Sequence, residues 1–467
     1  MHPSIAIVGA GFSGTMVAVH LLRRTPPQTR ITLIERSGAF GPGLAYGADQ
    51  GAALLNAPVG RMSAFEDQPL DFHAWLQRHL EDTPSADAFV PRHLYGGYLR
   101  HALARELRSP GQRRIVLLRD TVSSIEQTFG ECVLRLASGA TVRADAAVLA
   151  IGNPPPTPVA ELGTIWNEPE LYCGAPWSVD AFDGIRPDQA VLLVGTGLTM
   201  VDAATALLDR GHAGPIHAVS RRGLLPRGHT TTPPGAAPEL TPLPPGLIAL
   251  GRHLRHIVRT QAPDVPWQRV IDALRPSTSE LWQALSIEER GRFLRHLRPW
   301  WEVHRHRMPP ALAERIDTAR ASGQLRIAAA RITGCTRACD GVHVHLRPRR
   351  GTATSTLPVA RVVNCTGPAT DVVRIGNPLM RSLLAAGLVR SDPLGLGLDV
   401  AASGALRGRY GTISSSLFAI GPLTKGLCWE MTAVPELRRQ CERLAAHLAM
   451  LGRAPATSTE EPQLAAV

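Results

Sequence analysis

The sequence predicts an α/β protein with parallel sheets, arranged as two domains with a helical insertion. Two stretches have the order strand, glycine-rich turn, helix and strand, and they begin near residues 4 and 190. Three further apolar strands end in glycine, at Gly152, Gly367 and Gly421. Strands that alternate with helices in this way are typical of parallel sheets covered by helices on both faces.

The composition supports a folded protein of two or three domains. The chain has 467 residues, of which 44% are hydrophobic and 19% are charged, so a large apolar core can form. No apolar run approaches the length of a transmembrane helix, and the N-terminus lacks the pattern of a signal peptide. Seven cysteines are too few for a disulfide framework in a chain this long. We therefore expect a cytoplasmic protein that does not enter a membrane.

The basic residues do not indicate nucleic-acid binding. The net charge is +11, but Lys425 is the only lysine and the other 49 of the 50 basic residues are arginines. A GC-rich genome explains this bias better than selection for a polyanion. The arginines are scattered, without the interleaved aromatic residues of a nucleic-acid surface. The net positive charge is still compatible with the binding of anionic small molecules.

The first unit, residues 4–35, predicts a Rossmann-like dinucleotide-binding site. A short apolar strand is followed by Gly9, Gly11 and Gly14, and then by a helical pattern. Gly9 allows the tight turn, Gly11 lets the backbone approach a pyrophosphate, and Gly14 lets the helix pack closely. Glu35 ends the next strand, 35 − 14 = 21 residues beyond the last glycine. An acid at that distance is expected to bind ribose hydroxyls.

The second unit repeats this pattern with two changes. Gly195 and Gly197 form the turn, but Met200 stands where the third glycine is expected, so we expect helix and strand to lie slightly further apart. The next strand ends in Arg221 and Arg222 instead of an acid. Guanidinium groups at this position suit a 2′-phosphate, which favours NADP over NAD.

The middle of the chain predicts a helical insertion at about 235–322 that covers the cleft. Residues 224–246 hold many prolines, and residues 247–322 carry helical patterns rich in Arg and His. His304 and His306 could ligate a metal, but their spacing splays them apart on a helix. We interpret them as part of a solvated polar face and predict no metal site.

Several stretches, in this order along the chain, resemble a known family. They are Leu55-Asn56-Ala-Pro58 with Arg61-Met62-Ser63, Phe89-Val-Pro91-Arg92 with Tyr95-Gly96 and Tyr98-Leu99, Ala175-Pro-Trp177, Gly197-Leu-Thr-Met200-Val-Asp202, and Ile420-Gly-Pro-Leu-Thr-Lys-Gly426 with Trp429-Glu430. From residue 4 to about 450 the chain resembles two-dinucleotide-binding-domain flavoproteins, and more narrowly a bacterial FAD/NAD(P)-binding protein family. Met200 belongs to the family's pattern. The better understood members resemble flavin-dependent N-monooxygenases, and one group oxidises L-aspartate to nitrosuccinate.

The resemblance implies a domain organisation and a function. An FAD-binding domain in residues 1–185 and 366–450 would be interrupted by an NAD(P)H-binding domain in 186–365, with a flexible tail at 451–467. The implied protein is an FAD-dependent, NADPH-using monooxygenase that N-oxygenates a small amino compound, such as an amino acid, with O2 through a C4a-hydroperoxyflavin. A homo-oligomer is compatible with these observations.

Two other functions remain open. One is an NAD(P)H-dependent flavin reductase or dehydrogenase without oxygen transfer, and the other is a nucleotide-sensing module without turnover. A disulfide reductase needs a Cys-x-x-Cys pair, which the sequence lacks, since Cys335 and Cys339 are separated by three residues. This ranks an oxygenase above a thiol reductase.

The candidate catalytic residues are Asn56, Arg61 and Lys425. Asn56 could hydrogen-bond flavin or substrate, or cap a turn. Arg61 and Arg92 could pair with substrate carboxylates or with FAD phosphates, and a structural role is also open for Arg92. Lys425 lies between the last apolar strand and its helix, although chance survival explains a single lysine equally well. The predicted cofactor-binding residues are Gly9, Gly11, Phe12, Ser13, Gly14, Glu35, Arg36, Asn56, Met62, Arg92, Gly152, Gly195, Gly197, Leu198, Thr199, Arg221, Arg222, Gly367, Gly421 and Trp429.

Overall fold

The computed structural model describes residues 3–47, 53–109, 114–128, 130–178, 180–230, 238–261 and 265–451. The predicted flexible tail, apart from its first residue, lies outside these residues. The strands are β1 Ser4–Val8, β2 Arg30–Ile34, β3 Ile115–Leu118, β4 Val122–Thr128, β5 Glu131–Leu136, β6 Thr141–Ala144, β7 Ala146–Leu149, β8 Tyr172–Cys173, β9 Val191–Val194, β10 Ile216–Ser220, β11 Leu325–Ala338, β12 Gly341–Pro348, β13 Ser355–Val359, β14 Arg361–Asn364, β15 Ala405–Arg407 and β16 Ile413–Ala419. The helices are α1 Phe12–Arg24, α2 Asp71–His79, α3 Arg92–Leu107, α4 Leu198–Asp209, α5 Leu247–Gln261, α6 Trp267–Leu274, α7 Thr278–Ala284, α8 Ile287–Arg292, α9 Arg298–Arg305, α10 Pro310–Ala321, α11 Pro378–Ala385 and α12 Val434–Leu451.

The first sheet has the strand order β15-β16-β7-β1-β2-β3, and every pair is parallel except β15 with β16. Ile5, Ala6, Ile7 and Val8 of β1 are all buried, because the sheet is covered on both faces. Strand β7 lies beside β1 and runs parallel to it. The residues that follow β7, up to Gly152, therefore lie next to the first glycine turn.

The second sheet has the order β13-β12-β11-β10-β9-β14-β8. Strands β8, β14, β9, β10 and β11 run parallel, whereas β11, β12 and β13 form antiparallel pairs. The strand ending at Asn364 lies beside β9, so Gly367 follows next to the second glycine turn. Together the two sheets confirm the predicted α/β fold with two Rossmann-like units.

The chain enters the second sheet earlier than the predicted domain boundary at residue 185. Strand β8, at Tyr172–Cys173, pairs with β14 of the second sheet. Leu162 and Ile165 pack in the same apolar cluster as Val342 and Val362 of that sheet. The passage between sheets therefore follows Gly152, at the proline run, and not the segment before β9.

The predicted helical insertion contains two parts with different partners. Helices α5 to α9 follow β10, and a π-helical turn, Phe293–Leu297, joins α8 to α9. Helix α10 packs instead on α4, where Leu312 and Ile316 share a core with Val201 and Ala204. Because β10 and β11 are parallel, α10 is the crossover helix of the second sheet, and α5 to α9 form the insertion proper.

Helix α12 returns to the first domain and packs on α1. Leu437, Cys441 and Leu444 share the apolar cluster of Met16 and Val17. The first domain is therefore completed by the last described helix. Within the described residues, no helix combines the length and the apolar character that crossing a membrane would require.

Candidate functional site

The first glycine turn lies between β1 and α1 and is tightly enclosed. Gly9 has a φ of 99°, and a Cβ there would lie 2.5 Å from the carbonyl oxygen of Ala150. A Cβ on Gly14 would lie 1.8 Å from the carbonyl oxygen of Gly9. Gly11 precedes α1, which has no side-chain cap and no acid in its first turn. Its first N–H groups can therefore bind an anion.

Glu35 is fixed beside this turn at the end of β2. The Ala10 N–H donates to Oε2 at 2.9 Å. The Ser37 N–H and hydroxyl donate to Oε1 at 3.0 and 2.9 Å. The carboxylate lines the cavity described below, at the position where an acid would accept hydrogen bonds from ribose hydroxyls.

The second glycine turn has the same backbone plan. Gly195 has a φ of 112°, and a Cβ there would lie 2.4 Å from the carbonyl oxygen of Cys365. Gly197 precedes α4, and a Cβ on it would meet no atom within 4 Å. Met200 is fully buried in the core between α4 and the sheet, so a thioether fills the place of the third glycine. The wider spacing of helix and strand stays a prediction.

A cavity of about 3100 Å³ connects the two turns. Every predicted site residue except Gly14, Gly421 and Trp429 lines it. Gly14 lies beneath the first turn, and the Gly421 N–H donates to Gln440 Oε1 at 2.9 Å. Trp429 is 4% exposed and packs behind the cavity wall. The structure thus brings together residues that are up to 416 positions apart (425 − 9).

Arg92 joins the two domains. Its Nη2 lies 2.9 Å from Asp202 Oδ2 on α4, and the two side chains are 16% and 15% exposed. Its Nε donates to the carbonyl oxygen of Leu54 at 3.0 Å. Burial raises the pKa of Asp202, and the charge of Arg92 opposes that rise. The structure therefore gives Arg92 a structural role, and cofactor binding by Arg92 stays a prediction.

Arg61 connects the first domain to the insertion. Its Nη1 lies 3.3 Å from Asp272 Oδ2 on α6, and Asp272 also pairs with the buried Arg307. The Arg61 side chain is 52% exposed and lines the cavity, so its other N–H groups can reach a ligand.

Asn56 meets the same region through its backbone. The His229 Nε2–H donates to the Asn56 carbonyl oxygen at 3.0 Å, and the His229 ring lies 4.9 Å from the ring of Phe89. Burial, with help from Arg307, lowers the pKa of His229 to about 4, so the imidazole is neutral at pH 7. The Asn56 amide lines the cavity.

Lys425 lines the cavity and lies against the ring of Trp429. Its Nζ is 4.6 Å from the ring centroid, a cation–π distance. Trp429 stacks on Trp282 of α7 with ring centroids 4.9 Å apart, and the Trp282 N–H donates to the Gly426 carbonyl oxygen at 2.9 Å. Burial, followed by the charge of Arg298, lowers the pKa of Lys425 to about 8. The insertion therefore fixes the loop that carries the only lysine.

Sequence reasoning missed a charged network between the insertion and Glu430. The Trp301 N–H donates to Glu430 Oε1 at 2.9 Å. Arg305 Nε lies 3.1 Å from Glu430 Oε2, within ion-pair distance but without hydrogen-bond geometry. Burial favours a higher pKa for Glu430, but Arg305, His306 and Trp301 outweigh it and hold that pKa below its ordinary value.

The interpretation of His304 and His306 as a solvated face is wrong for His306. His306 follows the last residue of α9, lines the cavity, and has its pKa lowered by burial. His304 lies against the ring of Trp267 at 4.8 Å. The i,i+2 spacing does separate the two, but helix geometry alone gives no signal that one of them meets Glu430. Within the described residues no group of three or more His, Cys, Asp or Glu could hold a metal ion.

The cysteines do not form a redox centre in the described structure. All seven are free, and Cys335 and Cys339 lie outside the lining of the large cavity. Cys335 Sγ lies 3.3 Å from the Thr164 hydroxyl, and Cys339 is exposed. Cys132, Cys365 and Cys441 are buried, whereas Cys173 and Cys428 are partly buried.

Residues 6–154 match the family described as FAD-NAD(P)-binding. This match covers the first glycine turn and Glu35, and it confirms the prediction of a FAD/NAD(P)-binding domain there. No curated protein sequence matches the chain.

Solved structures show the same fold over the whole chain. The chain superposes on ornithine hydroxylase from Pseudomonas aeruginosa with a TM-score of 0.65 at 16% identity, covering 96% of this chain and 99% of that one. The ornithine N-hydroxylase of Kutzneria sp. 744, solved with reduced FAD, NADP+ and L-ornithine, gives 0.63 at 15% identity, with 96% and 99% covered. Thioredoxin reductase from Lactococcus lactis gives 0.54 at 11% identity, with 97% and 99% covered. These likenesses confirm the fold of two-domain flavoproteins.

Proposed function

We propose that the protein is an FAD-dependent, NADPH-using monooxygenase that N-oxygenates a small amino compound. The observation that carries the proposal is the single cavity into which both glycine turns open. Two nucleotides bound at these turns would meet within one shared cavity. The N-hydroxylating enzymes among the similar structures, and the lack of a paired cysteine at the cavity, favour oxygen transfer over disulfide reduction.

The residues at each turn fit the two cofactors. Gly9 and Gly11, with the uncapped start of α1, would hold the pyrophosphate of FAD, and Glu35 would accept hydrogen bonds from its ribose. Gly195 and Gly197 would do the same for NADPH on α4. When bound, the flavin supplies hydride acceptance from NADPH and activation of O2.

Charge pairing around Lys425 indicates an acidic substrate. Near Lys425, Arg298 pairs with Glu302 at 2.7 Å and Arg305 lies 3.1 Å from Glu430, and these two carboxylates favour the charged form of the lysine from a distance. Lys425 has no acidic side chain within ion-pair distance among the described residues. Its ammonium group can therefore bind a substrate carboxylate, and it would repel the distal amine of a diamine. We propose a small amino acid with an acidic side chain, with aspartate first.

The chain's own residues position the substrate and exclude water. Lys425 would bind the carboxylate and leave the α-amino group to face the flavin. Arg61 offers a second guanidinium at the edge of the insertion. The α9 residues Arg298 and Glu302 line the cavity next to Lys425 and would restrict the access of water there. The amine must be neutral to react, so its proton has to leave before oxygen transfer.

A turnover assay tests the proposal. The FAD-loaded protein is mixed with NADPH and either aspartate, glutamate, ornithine or lysine, in air and under argon, with product mass spectrometry. We expect aspartate to give an N-oxygenated product in air, in step with NADPH oxidation, and none under argon. NADPH oxidation with no N-oxygenated product from any of the amino acids would contradict the proposal.

One observation favours a second function. The likeness to thioredoxin reductase shows that this fold also occurs in a flavoprotein reductase. A reductase acting on a quinone or an imine would need no cysteine pair. It predicts rapid NADPH oxidation by such an acceptor under argon, where the monooxygenase predicts no turnover.

A further inference from the structure

Two arginines lie directly opposite each other in the hairpin of β11 and β12. Arg331 and Arg347 are register partners, so their side chains project from the same face at neighbouring positions. Both are exposed, while the flanking Ala330 and Leu346 are buried in the core. Like charges directly opposite in a sheet are destabilising unless something of opposite charge lies between them.

This arginine pair lies beside the end of β10. Strand β11 runs parallel to β10, with Ser220 opposite Ala329. Arg331 is two residues further along β11, so it lies level with the first residues after β10. A Cβ on Gly223 would lie 3.2 Å from Ala329, and the Arg349 N–H donates to the Ala329 carbonyl oxygen at 2.8 Å. The loop after β10 and the end of the hairpin therefore meet at Ala329.

All of these arginines face the cavity that holds the second glycine turn. Arg221, Arg222, Arg331, Arg347 and Arg349 line it. The Thr196 hydroxyl in the glycine turn donates to the Leu224 carbonyl oxygen at 2.6 Å, which ties the loop after β10 to that turn.

No acidic residue neutralises this cluster among the described residues. Asp340 is the only acid in residues 216–230 and 325–359, and it lies at the opposite end of the hairpin. The ion pair of the hairpin is Arg337 with Glu168, also towards that end. Arg222 donates to the Arg295 carbonyl oxygen at 3.4 Å, which leaves its charge unpaired.

We infer that Arg331 and Arg347 form, together with Arg221, a subsite for the 2′-phosphate of NADPH. The inference rests on the proposed use of NADPH, and it moves the choice between NADPH and NADH from the end of β10 to the neighbouring hairpin. A phosphate monoester carries a charge near −2, and guanidinium groups bind it in bidentate geometry. The anion removes the like-charge repulsion between strands β11 and β12.

Substitutions in the hairpin test this subsite. Arg331→Gln and Arg347→Gln are made singly and together in the full chain, with Arg326→Gln at the other end of β11 as the matched control. We expect each single change to weaken binding of NADPH about tenfold and the pair about 100-fold, since a tenfold loss corresponds to about 1.4 kcal/mol, near the value of one charge-assisted hydrogen bond. Binding of NADH should change by less than about twofold, and Arg326→Gln should leave both unchanged.

A second ligand separates this inference from the proposed function. Adenosine 2′,5′-bisphosphate and adenosine 5′-monophosphate are titrated by calorimetry, without FAD turnover. Stronger binding of the bisphosphate that is lost in the hairpin variants supports the subsite, even if no monooxygenase activity is found. Equal weakening of NADPH and NADH, no change for either, or no preference for the bisphosphate overturns the subsite, while N-oxygenation by the wild-type protein would still stand.

Discussion

The two glycine turns share one backbone plan but are completed by opposite charges. In the first unit the carboxylate of Glu35 is held by the N–H groups of Ala10 and Ser37, beside the turn itself. In the second unit Arg221 and Arg222 take that position, and the nearest strands add further arginines without an acid. Both turns therefore offer backbone N–H groups to a pyrophosphate, and the charge on the strands beside the turn is what differs between the two units.

The largest effect should come from breaking the contact that joins the two units. Arg92→Met leaves the carboxylate of Asp202 buried without its partner, so the free energy of unfolding should fall by about 3–5 kcal/mol. Urea denaturation measures this. The matched change Arg135→Met removes an exposed ion pair with Glu126 and should cost less than about 1 kcal/mol. Equal losses in the two variants would show that the interdomain pair does not hold the units together.

An added methyl group should have different effects at the two turns, because the backbone is crowded at Gly14 and open at Gly197. Gly14→Ala places a Cβ against the backbone of Gly9, so the helix must move, and we expect a loss of about 1–3 kcal/mol together with weaker FAD binding. Gly197→Ala meets no atom within 4 Å, so stability should change by less than about 0.5 kcal/mol. Thermal denaturation of both variants is the measurement, and the reverse order of stability would contradict this account.

The pH dependence should separate the substrate site from both nucleotide sites. With a pKa of about 8, Lys425 is an ammonium ion below pH 8 and loses its charge above it. Because deprotonation of the substrate amine affects both enzymes equally, we expect kcat/KM for an acidic amino acid to fall as the pH rises through 8 relative to Lys425→Arg, which keeps its charge. Lys425→Met should lower kcat/KM at pH 7 about 10- to 100-fold, because the free energy of one hydrogen bond to a charged group corresponds to a factor of this size. Lys425→Arg should keep activity and shift the fall to higher pH, and KM for NADPH should not change in either variant.

The smallest effect concerns the acid of the first unit. Glu35→Gln keeps one oxygen to accept a hydrogen bond but loses the charge, so the Kd for FAD should rise about fivefold, near 1 kcal/mol. Fluorescence quenching of FAD measures this, with Arg30→Gln at the exposed start of β2 as the control. An unchanged Kd would mean that Glu35 serves only the backbone of the turn.

The nucleotide units could be predicted because their signals are local. Gly9, Gly11 and Gly14 act within one turn, and Glu35 follows at a spacing that the strand and helix lengths impose. The same is true of Gly195 and its turn. The strands that end at Gly152 and Gly367 were also visible as apolar runs closed by glycine, and the structure places both beside a turn.

The rest of the site depends on contacts between distant segments. Arg305 and His306 meet Glu430 across more than 120 residues, so neither helical spacing nor composition indicates the partner. The pairing of Arg92 with Asp202 spans 110 residues and was hidden because an arginine near a nucleotide site also suits a phosphate. Arg331 and Arg347 lie opposite each other only in the folded hairpin, so the sequence alone does not show that they are neighbours.

The nested order of the sheets sets the sequence in which the chain can fold during synthesis. All strands of the second sheet, which is the inner one in chain order, have been made once Asn364 is added. The first, outer sheet then still lacks β15 and β16, and helix α12, which packs on α1, is also missing. The inner domain can therefore fold before the outer domain, because the outer domain also needs α12, which ends at Leu451. Truncation near the C-terminus should consequently expose the hydrophobic face of α1 and spare the domain that was finished first.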